Sequence, residues 1–256
     1  MIMSRFEKLC LIRNKLTNNE VSIGSWMQIS NSSIAEILGH SGYDWVAVDL
    51  EHGAFSYAQL PDIFRSLELG NTLPLARLSN SSPSECKNVL DSGAGGVIAP
   101  QIESASQLSS IRDACRWPPS GNRGVGFSRA NMFGKNFDEY QAEAQNPLLI
   151  AMIESINAVN CMDEILSVKG LDAILVGPYD LSASLKSVGN FDDPNFTSAM
   201  DRIISLCNKF NIACGIHVVN PDQNMLEMYI KKGYQFVAYS MDSVFINTVC
   251  QNPFKR

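Results

Sequence analysis

The sequence predicts a single (β/α)₈ barrel, or TIM barrel, over residues 1–256. Eight short apolar runs alternate with segments that carry helix signals. The runs are continuous rather than strictly alternating, as expected of parallel strands covered on both faces. The length also suits one barrel of this kind, which typically needs about 250 residues. A doubly wound open sheet is the alternative, but no Gly-rich phosphate turn follows the first run.

The elements follow from local patterns in chain order. The first is a helix, predicted from the mixed apolar and charged start MIMSRFEKLCLIRNKL. Later helices are signalled by Ser residues at 32–33 with Glu36 in the first turn, and by Ser82 followed by Pro83. The predicted strands are residues 22–29, 45–50, 73–78, 96–100, 148–154, 173–178, 212–217 and 236–241.

Composition narrows the class of protein. With 45% hydrophobic and 18% charged residues the chain can bury a full core. The net charge is −6 and the basic residues are scattered, so a nucleic-acid partner is not expected. We expect a cytoplasmic protein, since there is neither a signal-peptide core nor an apolar stretch of membrane-spanning length. Seven Cys residues without a CxxC pair indicate reduced, mostly buried thiols.

One long segment, residues 117–137, contains no clear strand or helix. Long loops inside compact domains are usually functional or disordered. Its Gly and Arg residues favour a loop over the mouth of the barrel, and a plain surface excursion is the alternative.

Polar residues follow several of the strands. Asp49, Glu51 and His52 lie at the end of the second strand, and Arg77 is at the end of the third. The carboxyl ends of the strands are where a parallel barrel builds its active site. His52 is a candidate acid or base near neutral pH. Arg77 is either a buried ion-pair partner or the group that holds a carboxylate or a developing enolate.

Two more carboxylates, Glu154 and Asp180, close the adjacent strands five and six. Adjacent strands lie about 4.8 Å apart, so both carboxylates can share a cation such as Mg²⁺ or Mn²⁺. The alternative is that each caps the next helix. His217 ends strand seven and either contacts a substrate or packs, while His40 is expected at the surface. Asp91, taken alone, is a helix-end or turn residue.

Taken together, these strings resemble a known family. DWVAVDLEH, PLARL, LDSGAGGVIAP, PPSGNRGVG, the MIES run and ILVGPYDLSAS follow one another in order. They resemble the HpcH/HpaI family of metal-dependent class II pyruvate aldolases, over nearly the whole chain. One departure is Met152, where many members of that family carry Gln.

The resemblance implies a phosphoenolpyruvate/pyruvate-type barrel whose divalent metal, Mg²⁺ or Mn²⁺ with Co²⁺ as a further candidate, is held by Glu154 and Asp180. Arg77 would steady the keto and enolate oxygen, and His52 would be the acid/base, oriented by Asp91. The implied substrate-binding groups are Trp26, Asp49, Glu51 and the backbone of Gly177, Pro178 and Tyr179. A homohexamer is implied, with the last helix exchanged between subunits.

The implied reaction is reversible aldol cleavage of a 4-hydroxy-2-oxo acid to pyruvate and an aldehyde. Related alternatives are decarboxylation of a 2-oxo diacid, citrate-synthase-like condensation, or a barrel kept as a non-catalytic scaffold. A Schiff-base aldolase needs a Lys in its pocket, and no Lys ends any predicted strand.

Overall fold

The computed structural model describes residues 3–254 and is a closed barrel of eight parallel strands. Each strand pairs with its neighbour in the chain, and β8 pairs with β1 to close the barrel. The strands are β1 Ser22–Met27, β2 Trp45–Asp49, β3 Leu73–Arg77, β4 Gly96–Ala99, β5 Leu148–Ile153, β6 Ala173–Val176, β7 Ala213–Val218 and β8 Phe236–Met241. The predicted fold is confirmed, with strand ends displaced by at most two residues.

Helices connect the strands on the outside of the barrel. They are α1 Arg5–Thr17, α2 Ser32–Gly39, α3 Leu60–Leu69, α4 Pro83–Ser92, α5 Ala105–Cys115, α6 Phe137–Ala144, α7 Ile156–Asn160, α8 Met162–Leu166, α9 Pro178–Ser184, α10 Pro194–Phe210, α11 Gln223–Lys231 and α12 Asp242–Val249. Ser82 caps α4 ahead of Pro83, as predicted. The cap of α2 is Asn31 rather than the predicted Ser residues, because the Asn31 side chain accepts the first free amides.

The barrel interior is filled by every second residue of each strand, because successive side chains in a strand point to opposite faces. Along β2 this face carries Trp45, Ala47 and then Asp49, and the first two lie in the interior cluster. Aromatic rings fill the interior near the amino ends of the strands, where Trp45 stacks on Phe236 with ring centroids 4.1 Å apart. The same alternation places Asp49 and Arg77 on the interior face at the carboxyl ends of β2 and β3.

Helix α1 closes the amino end of the barrel. Its residues Leu9, Ile12 and Leu16 are buried in the same apolar cluster as Trp45 and Phe236. A capping box begins the helix, with Ser4 and Glu7 each accepting from the other's backbone amide. The carboxyl ends of the strands remain as the open end of the barrel.

The segment 117–137 lies at the amino end, so the prediction that it covers the barrel mouth is wrong. Helix α5 runs back from the carboxyl end of β4, and the segment continues from there to α6 and β5. Arg129, in a 3₁₀ turn over Arg129–Gly134, pairs with Glu68 and donates to the Ser92 carbonyl at the ends of α3 and α4. Arg5 of α1 donates to the Ala130 carbonyl at 2.7 Å.

The last helix, α12, packs against β1 and β8 of its own chain. The predicted exchange of α12 between subunits would require a second copy of the chain. Both this exchange and the homohexamer therefore stay predictions. None of the helices within residues 3–254 is both long and apolar enough to cross a bilayer.

Candidate active site

Two cavities at the carboxyl end of the barrel share the side chains of His52, Glu154 and Asp180. We call the first, of about 410 Å³, the acidic chamber; it is lined by Glu51, His52, Gln101, Ile102, Glu103, Glu154, Ser155 and Asp180. The second, of about 220 Å³, is the Trp26 chamber. Its lining includes Trp26, Asp49, Arg77, Met152, Leu175, Gly177, Pro178, Tyr179, His217, Val219 and Met241. A cavity of about 480 Å³ near Asn19 and Asn211 is larger, but no charged side chain lines it.

Asp49 is fully buried and saturated with protein donors. Its Oδ1 accepts from the backbone amides of Glu51 and His52 and from Arg77 Nε. Its Oδ2 accepts from Trp26 Nε1, Gln28 Nε2 and Arg77 Nη2. Burial alone would raise the pKa of Asp49, but the Arg77 hydrogen bonds and charge hold it below its usual value. Asp49 therefore positions its neighbours, and the predicted direct contact with substrate has no free oxygen to make it.

Arg77 extends from the end of β3 and is held on two sides. Besides its two hydrogen bonds to Asp49, its Nη1 lies 2.9 Å from Glu51 Oε2 as an ion pair. Its guanidinium carbon lies 5.4 Å from the centroid of Trp26. A guanidinium has five N–H groups, so these three contacts leave at least two of them unused, and Arg77 lines the Trp26 chamber.

Glu154 directly follows β5, and its carboxylate is almost completely buried. Its Oε2 accepts the Gln101 amide at 2.8 Å. The pKa of Glu154 is raised to about 7, mainly by burial; the charges of Glu51 and Asp180 also raise it, while the Gln101 hydrogen bond and the charge of Arg77 lower it. The carboxylates of Glu51, Glu154 and Asp180 therefore lie close together, and a bound cation would balance their charge.

Asp180 lies in the first turn of α9 rather than at the end of β6, which stops at Val176. The register that pairs Ile153 with Val176 puts Glu154 beside Gly177. A Cβ on Gly177 would come within 2.7 Å of Glu154 Cγ, so the glycine makes room for the carboxylate. The structure thus brings Glu154 and Asp180 to the same pair of chambers, as predicted.

The three residues Gly177, Pro178 and Tyr179 differ as binding groups. The Gly177 amide already donates to the Ile153 carbonyl at 3.1 Å, and Pro178 has no N–H. Among the described residues the Tyr179 amide finds no acceptor. Of the predicted backbone edge, Tyr179 therefore supplies the free donor.

His52 lines both chambers, and its exposed ring makes no hydrogen bond to the described residues. Asp91, predicted to orient it, does not reach it within this chain. Asp91 is the penultimate residue of α4, at the amino end of the barrel, where the opposing charges are Arg123 and Lys87. The length of a strand, roughly 13 Å for five residues, separates the two ends.

Sequence reasoning missed two glutamines. Gln28 donates to Asp49, and Gln101 donates its amide to Glu154 while its side chain approaches Glu51 at 3.4 Å. Gln101 has a φ of +52°, in the left-handed region that non-glycine residues seldom adopt. Both follow strands by one or two residues, which is the signal that could have identified them.

The Trp26 chamber combines aromatic and thioether walls. Trp26 stacks on the ring of His217, with centroids 5.1 Å apart and planes 28° apart. Met152 is buried on the same interior face as Glu154 and lines this chamber, so its thioether lies where the sequence predicted. His217 packs on Trp26 and is partly exposed to the chamber, while its contact with a substrate stays a prediction.

The fold and the site define a (β/α)₈ barrel with an acidic pocket at the carboxyl ends of its strands. Residues 22–248 match the model of the HpcH/HpaI aldolase/citrate lyase family, and the chain belongs to that family. The hydroxypyruvate/pyruvate aldolase of Roseobacter denitrificans is 34% identical over 241 residues, covering 92% of this chain and 93% of that protein.

Two further relatives agree with this membership. The 2-keto-3-deoxy-L-rhamnonate aldolase of Escherichia coli is 34% identical over 235 residues, covering 91% of this chain and 87% of that protein. The crystal structure of an HpcH/HpaI aldolase/citrate lyase family protein from Burkholderia cenocepacia superposes with a TM-score of 0.88 at 28% identity. It covers 94% of this chain and 96% of that chain.

Proposed function

We propose that this protein is a class II carbon–carbon lyase that cleaves a 4-hydroxy-2-oxo acid reversibly to pyruvate and an aldehyde. The observation that carries the proposal is the meeting of His52, Arg77, Glu154 and Asp180 around two adjoining chambers. Two relatives, named hydroxypyruvate/pyruvate aldolase and 2-keto-3-deoxy-L-rhamnonate aldolase and each similar over about nine tenths of this chain, support an aldolase reaction.

The proposed cofactor is a divalent cation, Mg²⁺ or Mn²⁺, held by Glu154 and Asp180. The donor set fits such an ion, because Glu154 is a buried carboxylate with a raised pKa beside two other acids. The described residues contain no group of three or more His, Cys, Asp or Glu side chains arranged around an ion. Two protein carboxylates would leave positions for substrate and water, as Mg²⁺ prefers. When bound, the cation supplies a Lewis acid for the 2-oxo group.

The protein's own groups divide the remaining work. Arg77, fixed by Asp49, directs its free N–H groups at the 2-oxo oxygen, where negative charge develops as the carbon–carbon bond breaks. His52 accepts the proton of the C4 hydroxyl as the C3–C4 bond breaks and the aldehyde forms. A proton returned from His52 or from solvent to C3 of the enolate then completes pyruvate. The Tyr179 amide receives the carboxylate of the 2-oxo acid.

The test is an aldol-cleavage assay on a 4-hydroxy-2-oxo acid, with pyruvate release followed by a coupled dehydrogenase. We expect turnover with added Mg²⁺ or Mn²⁺, loss in excess EDTA, and recovery when the ion is returned. Oxaloacetate decarboxylation, measured in parallel, separates this reaction from the related enolate chemistry. Pyruvate release that persists undiminished in EDTA would contradict the cofactor, and the absence of any release with either ion would contradict the reaction.

A further inference from the structure

Gln28 directly follows β1 and lies on the same face of the chain as Trp26. The two-residue alternation continues one step past the end of the strand, so both side chains reach the interior at the carboxyl end of the barrel. Trp26 Nε1 and Gln28 Nε2 donate to the same oxygen of Asp49, Oδ2, each at 3.1 Å. Arg77 Nη2 donates to that oxygen as well. Gln28 and Arg77 are therefore connected through a single carboxylate oxygen.

The orientation of the Gln28 amide is determined by its two partners. Asp49 is the anionic partner of Arg77, and a carboxylate only accepts hydrogen bonds. The amide nitrogen of Gln28 must therefore face Asp49. The amide oxygen faces the other way, where Ser243 Oγ approaches it at 3.4 Å. The two ends of this amide thus join Asp49 to the first turn of α12.

The same turn of α12 also holds the backbone of Gln28. Asp242 is 3% exposed, and its carboxylate accepts three backbone amides. Its Oδ1 accepts from Gln28 at 2.9 Å and from Ser243 at 2.8 Å, and its Oδ2 accepts from Ile29 at 2.8 Å. Hydrogen bonds to an ionised acceptor are the stronger ones, so Asp242 fixes the loop after β1 against the start of α12.

The first turn of α12 lies outside the chamber that Gln28 lines. Of the described residues around the Trp26 chamber, Gln28 is one, but Asp242 and Ser243 are not. Asp242 instead lines a separate, largely apolar cavity of about 300 Å³ between α2 and α12. The contacts of Asp242 and Ser243 with Gln28 therefore connect α12 to the active site without any contact with a substrate.

We propose that Gln28 is a positioning residue, through which the first turn of α12 holds the Asp49 carboxylate and thereby the direction of Arg77. The inference rests on the proposed aldolase function, which assigns the developing charge to Arg77. It adds a role for α12, because this helix supports the orientation of Arg77 without touching the reacting atoms. When Gln28 cannot donate, Asp49 Oδ2 keeps two of its three hydrogen bonds, so Arg77 stays paired but is held less firmly.

The experiment is a double-mutant cycle on the kcat for cleavage of 4-hydroxy-2-oxopentanoate with Mg²⁺, using the full-length protein. Gln28→Met keeps the length of the side chain but removes its donor and its acceptor. We expect kcat to fall about tenfold and KM to change less than about twofold, because Arg77 acts on charge that develops in the transition state. Gln141→Met, at an exposed glutamine of α6, is the matched control and should keep the wild-type kcat.

The second half of the cycle uses α12. Asp242→Ala should lower kcat in the wild-type background, since Gln28 loses the acceptor of its backbone amide. In the Gln28→Met background the same change should have no further effect, because the connection to Arg77 is already lost. Ser243→Ala removes only the hydroxyl that approaches Gln28 and should lower kcat about twofold, again only when Gln28 is present. It keeps the cycle measurable if Asp242→Ala does not fold, which urea unfolding of each variant establishes.

The outcomes separate this inference from the proposed function. Losses that multiply in the double variants would show that α12 does not act through Gln28 and would overturn the inference. A raised KM with an unchanged kcat in Gln28→Met would assign Gln28 to direct substrate binding, and would overturn it too. An unchanged kcat and KM in a folded Gln28→Met protein would have the same consequence. All three results leave the aldolase assignment intact, whereas absence of turnover in the wild-type protein would overturn both proposals.

Discussion

Asp49 and Arg77 are register partners on neighbouring strands, and they form a bidentate ion pair inside the barrel. Arg77 Nε and Nη2 donate to the two oxygens of Asp49 at 2.9 and 2.8 Å. Four further protein donors complete the hydrogen bonding of the same carboxylate. The pair therefore fixes the arginine that the proposed reaction requires.

The first prediction concerns the pair itself. Asp49→Asn removes the partner of a buried guanidinium, so the free energy of unfolding should fall by about 3 kcal/mol. The kcat/KM for aldol cleavage should fall too, because Arg77 loses its fixed direction. Urea unfolding and steady-state kinetics measure both effects. Asp62→Asn, in the exposed Asp62–Arg65 pair, is the control and should change stability by less than about 1 kcal/mol. Equal small effects for both variants would show that the buried pair does not hold the site.

The second prediction separates His52 from Arg77. His52→Ala should impair aldol cleavage more than oxaloacetate decarboxylation, because decarboxylation has no C4 hydroxyl proton to remove. Arg77→Ala should impair both reactions, since charge develops on the same oxygen in each. The ratio of the two kcat/KM values in each variant is the informative measurement. Equal losses in both reactions for a folded His52→Ala protein would remove His52 from the acid/base role.

The third prediction is that borohydride will not trap a pyruvate adduct. An imine needs a lysine in the pocket, and neither chamber has a lysine among its described lining residues. Intact-protein mass spectrometry after reduction with pyruvate should show the unmodified mass. A stable mass increase that maps to a lysine would contradict the class II assignment.

The fourth prediction uses Gly177 as a probe of the metal site. Gly177→Ala places a methyl group within 2.7 Å of Glu154 Cγ and 2.8 Å of its Oε1, so the carboxylate must move. Affinity for Mn²⁺, measured by titration calorimetry, should fall at least about tenfold. Gly124→Ala is the matched control, because a Cβ there meets nothing within 4 Å. An unchanged affinity in a folded Gly177→Ala protein would argue that Glu154 is not a ligand.

The fifth prediction concerns stability and pH. The pKa of His217 is lowered from 6.5 to about 4, mainly by burial, so the unfolded chain binds a proton between these values and the folded protein does not. His217 therefore makes stability rise with pH between about 4 and 6.5. Lowering the pH from 7 to 5 should cost the wild type about 2 kcal/mol more than His217→Phe in urea unfolding. Identical losses in the two proteins would show that His217 titrates normally in the folded state.

Much of the fold could be predicted because its signals are local. Each strand is a short apolar run bounded by polar or turn residues. The start of α4 is predicted by Ser82 as the N-cap and Pro83 as the first helical residue. The interior position of Glu154 follows from the two-residue period of β5, with Met152 on the same face. Strand-end residues of a closed parallel barrel converge at one end, so the sequence was sufficient to predict that Arg77 and Glu154 would meet there. Asp180 joins them from the first turn of α9, just after β6.

Residues outside the strand ends depended on the course of the chain. The segment 117–137 lies at the amino end because α5 runs antiparallel to β4, and composition carries no information about that direction. Asp91 lies at the same end, since α4 also runs back before β4 begins at Gly96.

The sequence by itself determined the barrel and the chemical groups gathered at its mouth, because hydrophobic period and strand-end position are properties of neighbouring residues. The tertiary structure decided which of those groups stay free. Both oxygens of Asp49 accept hydrogen bonds from residues at three different strand ends. The Tyr179 amide, in contrast, has no acceptor among the described residues. His217 Nε2 donates to the carbonyl of Ser240 on the next strand at 3.0 Å, and this contact determines which ring nitrogen carries the proton. These outcomes depend on contacts between distant parts of the chain, which form only when the barrel closes.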